Sequence, residues 1–264
     1  MLSSVGAYGG SEAPVQQHQM GSTVKGKPLL FFLLLVLAGQ GAHAQSIPKS
    51  SPFCEKREQR ATLDARGLRW VYCASNSALV RPLRWAHASA RPVFYGAVPL
   101  AWGGALLLRR DDDYSDAYRL TATQGLTYGL VLGLKHAVGR PRPYVTRSLL
   151  SRSARYGASR QADAYTSFPS GHASLSAALV TSWGLSHPKW YVWGPGSVWA
   201  VGVSLSRLHL GVHYPSDVLV GMGIGVGVAV LVHQLRGALT PEIVEGDGWA
   251  LLRAPPPIGI QVRF

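Results

Sequence analysis

Five apolar segments dominate the chain after residue 90 and limit what it can fold into. They are Val93–Leu108, Leu120–Val138, Ala173–Ser186, Tyr191–Ser204 and Val218–Leu235. None alternates between apolar and polar residues as a half-buried strand does, so we predict helices. At about 1.5 Å per residue, the longest approach the thickness of a bilayer's hydrocarbon core and the shortest fall below it. The pattern predicts an all-α bundle of about five core helices, embedded in a membrane.

The composition favours a membrane protein over a nucleic-acid-binding one. Charged residues make up only 15% of the 264 residues, whereas about a quarter is usual in soluble domains. The net charge of +13 comes from scattered basic residues, without a Lys/Arg-rich run or a nucleic-acid-binding motif. We therefore expect no nucleic-acid partner. The surplus of arginine suits anionic lipid headgroups and phosphate esters.

The N-terminal region has the layout of a secretory signal peptide. Lys25 and Lys27 precede the apolar run Pro28–Ala38, and Ala42-His43-Ala44 follows. We expect translation to begin at Met20, cleavage after Ala44, and export of the mature chain. The alternative is a first transmembrane helix that stays attached, for which the run is short.

The remaining chain divides into three regions. Residues 45–90 are predicted to form a polar stretch, followed over 61–90 by amphipathic helices that break near Pro82. Residues 91–236 form the main domain. Residues 237–264 form a tail in which we predict one short strand, Ile258–Phe264. Arg109–Arg119 is expected to be a charged, solvated turn, because no second cluster is spaced to complete a metal site with its aspartates. Cys54 and Cys73 form either one bridge or two unrelated thiols.

Residues suited to phosphate chemistry lie at the ends of four consecutive predicted helices. In chain order they are Lys135, Arg142, Ser170, Gly171, His172, Arg207, His213 and Asp217. Only a few residues around Pro188 link the third and fourth segments, so those helices run antiparallel. Up-and-down packing then brings all eight residues to one end of the bundle, away from the Pro188 turn.

The side chains indicate a site for a tetrahedral anion. Two guanidinium groups and an ammonium group repel one another unless an anion lies between them, and a phosphoryl group fits. The amides of Ser170 and Gly171 at a helix N-terminus also favour an anion. His213 and Asp217 are four residues apart, so the carboxylate can accept from one imidazole nitrogen while the other attacks phosphorus.

His172 then remains to protonate the leaving alkoxide and later to activate water. No metal or cofactor is required, because side chains supply the positive charge.

These residues match a three-part signature without substitution. Its parts are Lys135 with Arg142-Pro143, Pro169–His172, and Ser206-Arg207 with His213 and Asp217. The chain resembles the type 2 phosphatidic acid phosphatase superfamily, which includes bacterial acid phosphatases and vanadium haloperoxidases. The resemblance covers about residues 90 to 235. It implies that His213 becomes a phosphohistidine oriented by Asp217, that His172 is acid and then base, and that the phosphoryl group is bound by Lys135, Arg142, Ser170, Gly171 and Arg207.

The leading hypothesis is an inner-membrane phosphatase that hydrolyses a lipid phosphate or pyrophosphate at the periplasmic face. Three alternatives remain open: a soluble periplasmic phosphomonoesterase, a vanadate-dependent haloperoxidase, for which the chain is small, and a membrane protein that binds phosphorylated lipid without turnover. The sequence leaves the substrate open among undecaprenyl pyrophosphate, phosphatidylglycerol phosphate, phosphatidic acid and lipid A phosphates.

Several residues near the signature match none of its positions. We expect His136 and Arg140 to contact headgroups or loops or to be solvated, and His209 to be structural. Gly221 and Gly225 have the spacing that allows close helix packing. The stretch Arg147–Arg160 is either a lid over the substrate or a plain basic surface loop.

Overall fold

The computed structural model describes residues 52–55, 61–108, 111–147, 149 and 163–239. The predicted signal peptide, nearly all of the basic stretch at 147–160 and the strand predicted in the tail lie outside the described residues. Every regular element in the described ranges is a helix, which confirms the all-α class. The helices are α1 Pro52–Glu55, α2 Leu63–Tyr72, α3 Ser77–Leu108, α4 Asp111–Val138, α5 Pro143–Thr146, α6 Gly171–Ser186, α7 Trp190–His209, α8 Pro215–Gln234 and α9 Arg236–Leu239.

The predicted break near Pro82 is wrong. The chain instead turns at residues 73–76, and α3 runs without interruption through Pro82. The Asn76 side chain accepts the backbone N–H of Ala78 at 2.9 Å and so starts the helix. Pro82 removes one backbone hydrogen bond from the second turn, and burial of the neighbouring Val80 and Leu83 offsets that loss.

The prediction of a charged turn over Arg109–Arg119 is also wrong, because α4 already begins at Asp111. Three aspartates in the first turn of a helix interact favourably with its macrodipole, so this acidic start favours the helix. Asp116 also pairs with Arg119 at 3.3 Å, one turn further on. The extra turns lengthen α4 at the end of the bundle opposite Lys135.

Helix α6 lies at the centre of the bundle, where it packs most extensively against α8 and also contacts α4 and α7. The closest approach is at two glycines of α8. A Cβ atom on Gly221 would lie 2.7 Å from the backbone oxygen of Ser170, and one on Gly225 would overlap the backbone oxygen of Ser174. This contact confirms the predicted role of the two glycines in helix packing.

Helix α2 covers the end of the bundle at which α7 finishes and α8 starts. Its Leu68 and Tyr72 are buried in one apolar cluster with Leu208 and Val218. The structure joins Cys54 to Cys73 in a disulfide, which ties the α1 segment to the end of α2. Helices α1 and α2 are thus fixed against the domain.

The outer surface of the bundle carries many large apolar side chains. Among them are Leu107, Leu126, Tyr128, Val198, Leu219 and Leu231. Within the described ranges, α8 is the one helix that is both long and apolar enough to cross a membrane. An apolar surface of this kind indicates contact with lipid or with a partner protein.

We predict that Gly225→Ala destabilises the protein by about 1–3 kcal/mol, because the new methyl group overpacks the contact between α6 and α8. Gly223 in the same helix has nothing within 4 Å of an added Cβ. Gly223→Ala is therefore the matched control and should be neutral or stabilising by up to about 1 kcal/mol. Thermal unfolding of both variants in detergent measures the difference. Equal stability of the two variants would contradict this packing.

Candidate active site

The structure brings the predicted site residues to one end of the bundle. Lys135 lies in the last turn of α4, Ser170 to His172 lie where α6 begins, and Arg207 lies in the last turn of α7. His213 and Asp217 flank the start of α8. The turn into this segment contains Gly211 at φ +69°, a conformation that suits glycine, and an added Cβ there would lie 2.7 Å from Leu149.

Arg142 is a buried cation fixed by several backbone oxygens. Its Nε donates to the Asp163 oxygen at 2.7 Å, and its Nη1 donates to the Val212 oxygen at 3.0 Å. The side chain is only 4% exposed. A guanidinium group held in this way has little freedom to move, so its remaining hydrogen-bonding capacity is directed at a fixed point.

That point is the imidazole of His213. Arg142 Nη1 lies 3.1 Å from His213 Nε2. Arginine can only donate, so Nε2 must accept with its lone pair, and the proton of the neutral ring must be on Nδ1. The nitrogen that faces the cations is therefore the one that can act as a nucleophile.

The electrostatic environment keeps His213 neutral. Burial, together with the positive charges of Arg142, Lys135 and Arg207, holds the pKa of His213 well below its usual value, and the nearby backbone of Ser167 opposes this only in part. The side chain is 2% exposed. A neutral imidazole has the free lone pair that nucleophilic attack requires.

Lys135 and Arg207 complete the group of cations. Lys135 Nζ donates to the Thr166 oxygen at 2.6 Å. Arg207 is 1% exposed, and its charge acts on both His172 and His213. Arg207 Nη1 also lies 3.0 Å from Nδ1 of His87, a residue of α3 that the sequence analysis did not identify.

Asp217 does not contact His213 in the predicted way. The distance from His213 Nδ1 to Asp217 Oδ2 is 3.7 Å, which is too long for a hydrogen bond. Asp217 Oδ2 instead accepts from Ser167 Oγ and from the backbone N–H of Tyr214 at 2.8 Å. The carboxylate therefore acts on the imidazole as a nearby negative charge, while its hydrogen bonds fix the start of α8.

The predicted use of the Ser170 amide is wrong as well. This N–H donates to the backbone oxygen of Asp217 at 2.9 Å, so it is already used in joining α6 to α8. The Ser170 hydroxyl, in contrast, is buried and has no hydrogen-bond partner among the described residues. Contact between Ser170 and a phosphoryl oxygen is therefore available through the side chain.

Arg140 was expected to be solvated or to contact a loop or a headgroup, but it links Asp217 to α2. Its Nη1 donates to Asp217 Oδ1 and, at 2.7 Å, to Ser216 Oγ, and its Nη2 donates to Asp64 Oδ2 at 2.7 Å. Burial raises the pKa of Asp64, but hydrogen bonds from Arg140 and Ser216 outweigh this and hold it below the usual value. Asp64 is the one acidic residue among positions 61–90. A lone carboxylate in a basic segment is the sequence signal that could have identified it.

The other residues outside the signature have structural roles. His209 is buried, and its Nδ1 lies 3.4 Å from the Val71 oxygen, so it supports α2 as expected. His136 is exposed and contacts the Leu132 oxygen in its own helix at 2.8 Å. Across the described part of the chain, no three His, Cys, Asp or Glu side chains are grouped as metal ligands would be.

Comparison with known proteins identifies the domain that carries this site. Residues 117–241 match the family model described as the PAP2 superfamily. A lipid A 1-phosphatase of Rhizobium etli is 27% identical over 194 residues, which cover 70% of this chain and 73% of that protein. An undecaprenyl-diphosphatase of Sulfolobus acidocaldarius is 41% identical over 70 residues, which cover 26% of this chain and 34% of that protein.

Two crystal structures share the fold. Aquifex aeolicus LpxE superposes with a TM-score of 0.51 at 21% identity, covering 66% of this chain and 97% of that one. A transmembrane PAP2-type phosphatidylglycerolphosphate phosphatase from Bacillus subtilis gives a TM-score of 0.52 at 20% identity, covering 81% and 98%. Residues 117–241 are therefore a PAP2 superfamily domain, and the protein that carries it is a PAP2-type phosphatase, a hydrolase of phosphoric esters.

Proposed function

We propose that this phosphatase hydrolyses a phosphate monoester or pyrophosphate of a membrane lipid through a phosphohistidine on His213. The observation that carries the proposal is the position of His213 Nε2, a buried lone pair 3.1 Å from the Arg142 guanidinium group. A phosphoryl group drawn to Arg142, Lys135 and Arg207 takes over the hydrogen bond that Arg142 donates to Nε2, which frees the lone pair to attack phosphorus. The names of the relatives support lipid phosphates as the substrate class.

In the first step, the three cations bind the non-bridging oxygens of the phosphoryl group, assisted by the Ser170 hydroxyl and the start of α6 at Gly171. His213 Nε2 attacks phosphorus, and the bond from phosphorus to the leaving oxygen breaks. His172 gives its proton to that oxygen. The phosphohistidine keeps the Nδ1 proton and so carries a positive imidazolium ring, which the Asp217 carboxylate stabilises from 3.7 Å.

In the second step, His172 takes a proton from water, and the water oxygen attacks phosphorus. The bond between phosphorus and Nε2 breaks, so inorganic phosphate leaves and His213 returns to its neutral form. His172 ends protonated; burial and the nearby charge of Arg207 disfavour this form in the empty site, and a bound phosphoryl dianion offsets both effects. The positive charge for both steps comes from side chains, without a metal ion in any step.

We infer that the protein lies in the inner membrane with its site on the periplasmic side. An exported N-terminus starts in the periplasm, Val93–Leu108 crosses inwards and Leu120–Val138 returns, so Lys135 emerges outside. The apolar outer surface of the bundle supports contact with lipid. Membrane extraction distinguishes this from a soluble periplasmic enzyme, because release by carbonate or high salt would contradict an integral protein.

Phosphate release from matched lipid and soluble phosphate esters tests the reaction. We expect hydrolysis of lipid phosphates to exceed that of small esters and to persist in chelator. His213→Ala should lower kcat by at least about 10³-fold, as loss of a nucleophile does. Phosphate release by the wild type no greater than that of His213→Ala would instead support a protein that binds phosphorylated lipid without turnover. Halide oxidation by hydrogen peroxide in the presence of added vanadate tests for a haloperoxidase.

The phosphohistidine predicts a covalent intermediate that His172 resolves. With ³²P-labelled p-nitrophenyl phosphate, whose leaving group needs no proton, His172→Ala should still form the intermediate but hydrolyse it slowly. The label should therefore accumulate on protein in acid-labile, base-stable form and map to His213. His172→Ala combined with His213→Ala is the control and should retain no label. Label on another residue would disprove the assigned nucleophile.

We further propose that Arg140 and Asp64 position Asp217. Arg140→Ala leaves a fully buried carboxylate without its cation, so kcat should fall about 30- to 100-fold. KM should change little, because the phosphate-binding cations remain. Arg140→Lys should recover part of kcat, and Asp64→Asn should lower kcat by less than Arg140→Ala.

The control for this prediction is Asp116→Asn, which breaks the ion pair with Arg119 at the opposite end of the bundle. It should leave kcat and KM unchanged. A parallel loss of kcat and folded protein in Arg140→Ala, without recovery in Arg140→Lys, would indicate a purely structural role.

A further inference from the structure

One face of α3 lies against the site and carries His87, Arg91 and Phe94. The spacings of four and three residues place these side chains within about 60° of each other around the helix axis. All three come before the apolar C-terminal part of α3, and they lie towards the end of the bundle that holds the site. They also precede the matched domain, which begins at residue 117.

His87 offers a hydrogen-bond donor at this face. Arg207 Nη1 lies 3.0 Å from His87 Nδ1. Because arginine only donates, Nδ1 accepts, and the proton of the neutral ring is on Nε2. His87 is therefore held by one phosphate-binding residue with its other nitrogen available as a donor.

Phe94 marks the side on which the leaving group departs. Its ring packs edge-on against the His172 imidazole, with centroids 5.7 Å apart. His172 Nε2 is buried and has no hydrogen-bond partner among the described residues. In the proposed mechanism this nitrogen delivers the proton to the leaving oxygen. That oxygen therefore departs next to α3.

Arg91 is one turn after His87 and one turn before Phe94, and it lies about 40° from His87 and about 60° from Phe94 around the helix axis. It is exposed and pairs with no carboxylate among the described residues. Its charge nevertheless acts on both His87 and His172. A cation beside the departing oxygen stabilises a leaving group that is itself charged, whereas an alcohol gains nothing from it.

We propose that His87 and Arg91 form a subsite for an anionic leaving group, so that the preferred substrate is a lipid diphosphate rather than a lipid monophosphate. The subsite rests on the proposed function, because it binds the product of the same phosphoryl transfer. His213 Nε2 attacks the terminal phosphorus, and the bridging P–O bond breaks. His172 protonates the bridging oxygen, which leaves as part of a lipid monophosphate. Arg91 and the Nε2–H of His87 bind the oxygens of that monophosphate.

Farnesyl diphosphate and farnesyl monophosphate test this subsite, because they share the lipid and differ only in the second phosphate. Initial rates of phosphate release are measured for both in the same detergent micelles. Arg91→Ala should lower kcat/KM for the diphosphate about 10- to 100-fold, the size expected for a charged hydrogen bond. For the monophosphate the change should stay below about threefold. Arg91→Lys should retain much of the preference for the diphosphate.

Arg81→Ala is the matched control, since Arg81 is an exposed arginine of α3 about a quarter to a third of a turn away from this face. It should change neither rate. Arg91 is varied rather than His87, because His87 also supports Arg207, which both substrates need.

Equal losses on the two substrates in Arg91→Ala, or no loss, would overturn the subsite. Wild-type hydrolysis of the monophosphate alone would also overturn it but would leave the proposed phosphatase reaction intact. Hydrolysis of neither lipid, together with hydrolysis of small esters, would instead refute the lipid substrate class. The two proposals therefore fail in different ways.

Discussion

The buried carboxylate of Asp217 is the contact on which the site depends. Its Oδ1 accepts from Arg140, its Oδ2 accepts from Ser167 and the Tyr214 amide, and its backbone oxygen accepts from Ser170. These bonds join the start of α8 to the start of α6 and to the loops before them. A carboxylate that is 0% exposed is stable only when such partners compensate for its lost hydration. Because these bonds fix the orientation of the Asp217 carboxylate, it cannot turn towards His213, and Asp217 Oδ2 stays 3.7 Å from His213 Nδ1.

The electrostatics around His213 follow from an excess of cations over carboxylates. Lys135, Arg142 and Arg207 surround an imidazole that burial already disfavours in its charged form. In the proposed mechanism, neutrality makes His213 the nucleophile, and the cations that enforce it are the groups that attract a phosphoryl dianion. One arrangement would then activate the nucleophile and bind the substrate. In the same mechanism, transfer of the phosphoryl group reverses the balance, because the imidazolium ring of the phosphohistidine has negative charge on both sides, from the phosphoryl oxygens and from Asp217.

The sequence predicted the helices of the domain and the convergence of the eight candidate site residues because both depend on local patterns. Apolar periodicity identified the helices, and their connections identified the end at which the signature residues meet. Details set by long-range contacts could not be predicted in this way. Arg140 meets Asp64 across 76 positions, and Arg207 meets His87 across 120. The Ser170 amide looked free in the sequence because nothing in its own segment indicates that it donates to the backbone oxygen of Asp217. The start of α4 was missed because acidic residues resemble a loop, although they also suit a helix N-terminus.

Two parts of the chain contribute residues to the site, because Asp64 and His87 lie outside the matched domain. Residues 117–241, which match the superfamily model, contain the proposed nucleophile, the proposed acid and the cations proposed to bind phosphate. Positions 61–108 supply Asp64, which holds Arg140, and His87, which holds Arg207. The covering helix α2 is fixed in turn by the disulfide between Cys54 and Cys73 and by its burial against α7 and α8. All candidate substrates present the same phosphoryl group to the charges of the signature, and they differ in the rest of the lipid. Features that select the substrate should therefore lie outside the signature. Helices α2 and α3 border the site from outside the signature, and His87 and Arg91 of α3 lie on the side from which the leaving group departs in the proposed mechanism.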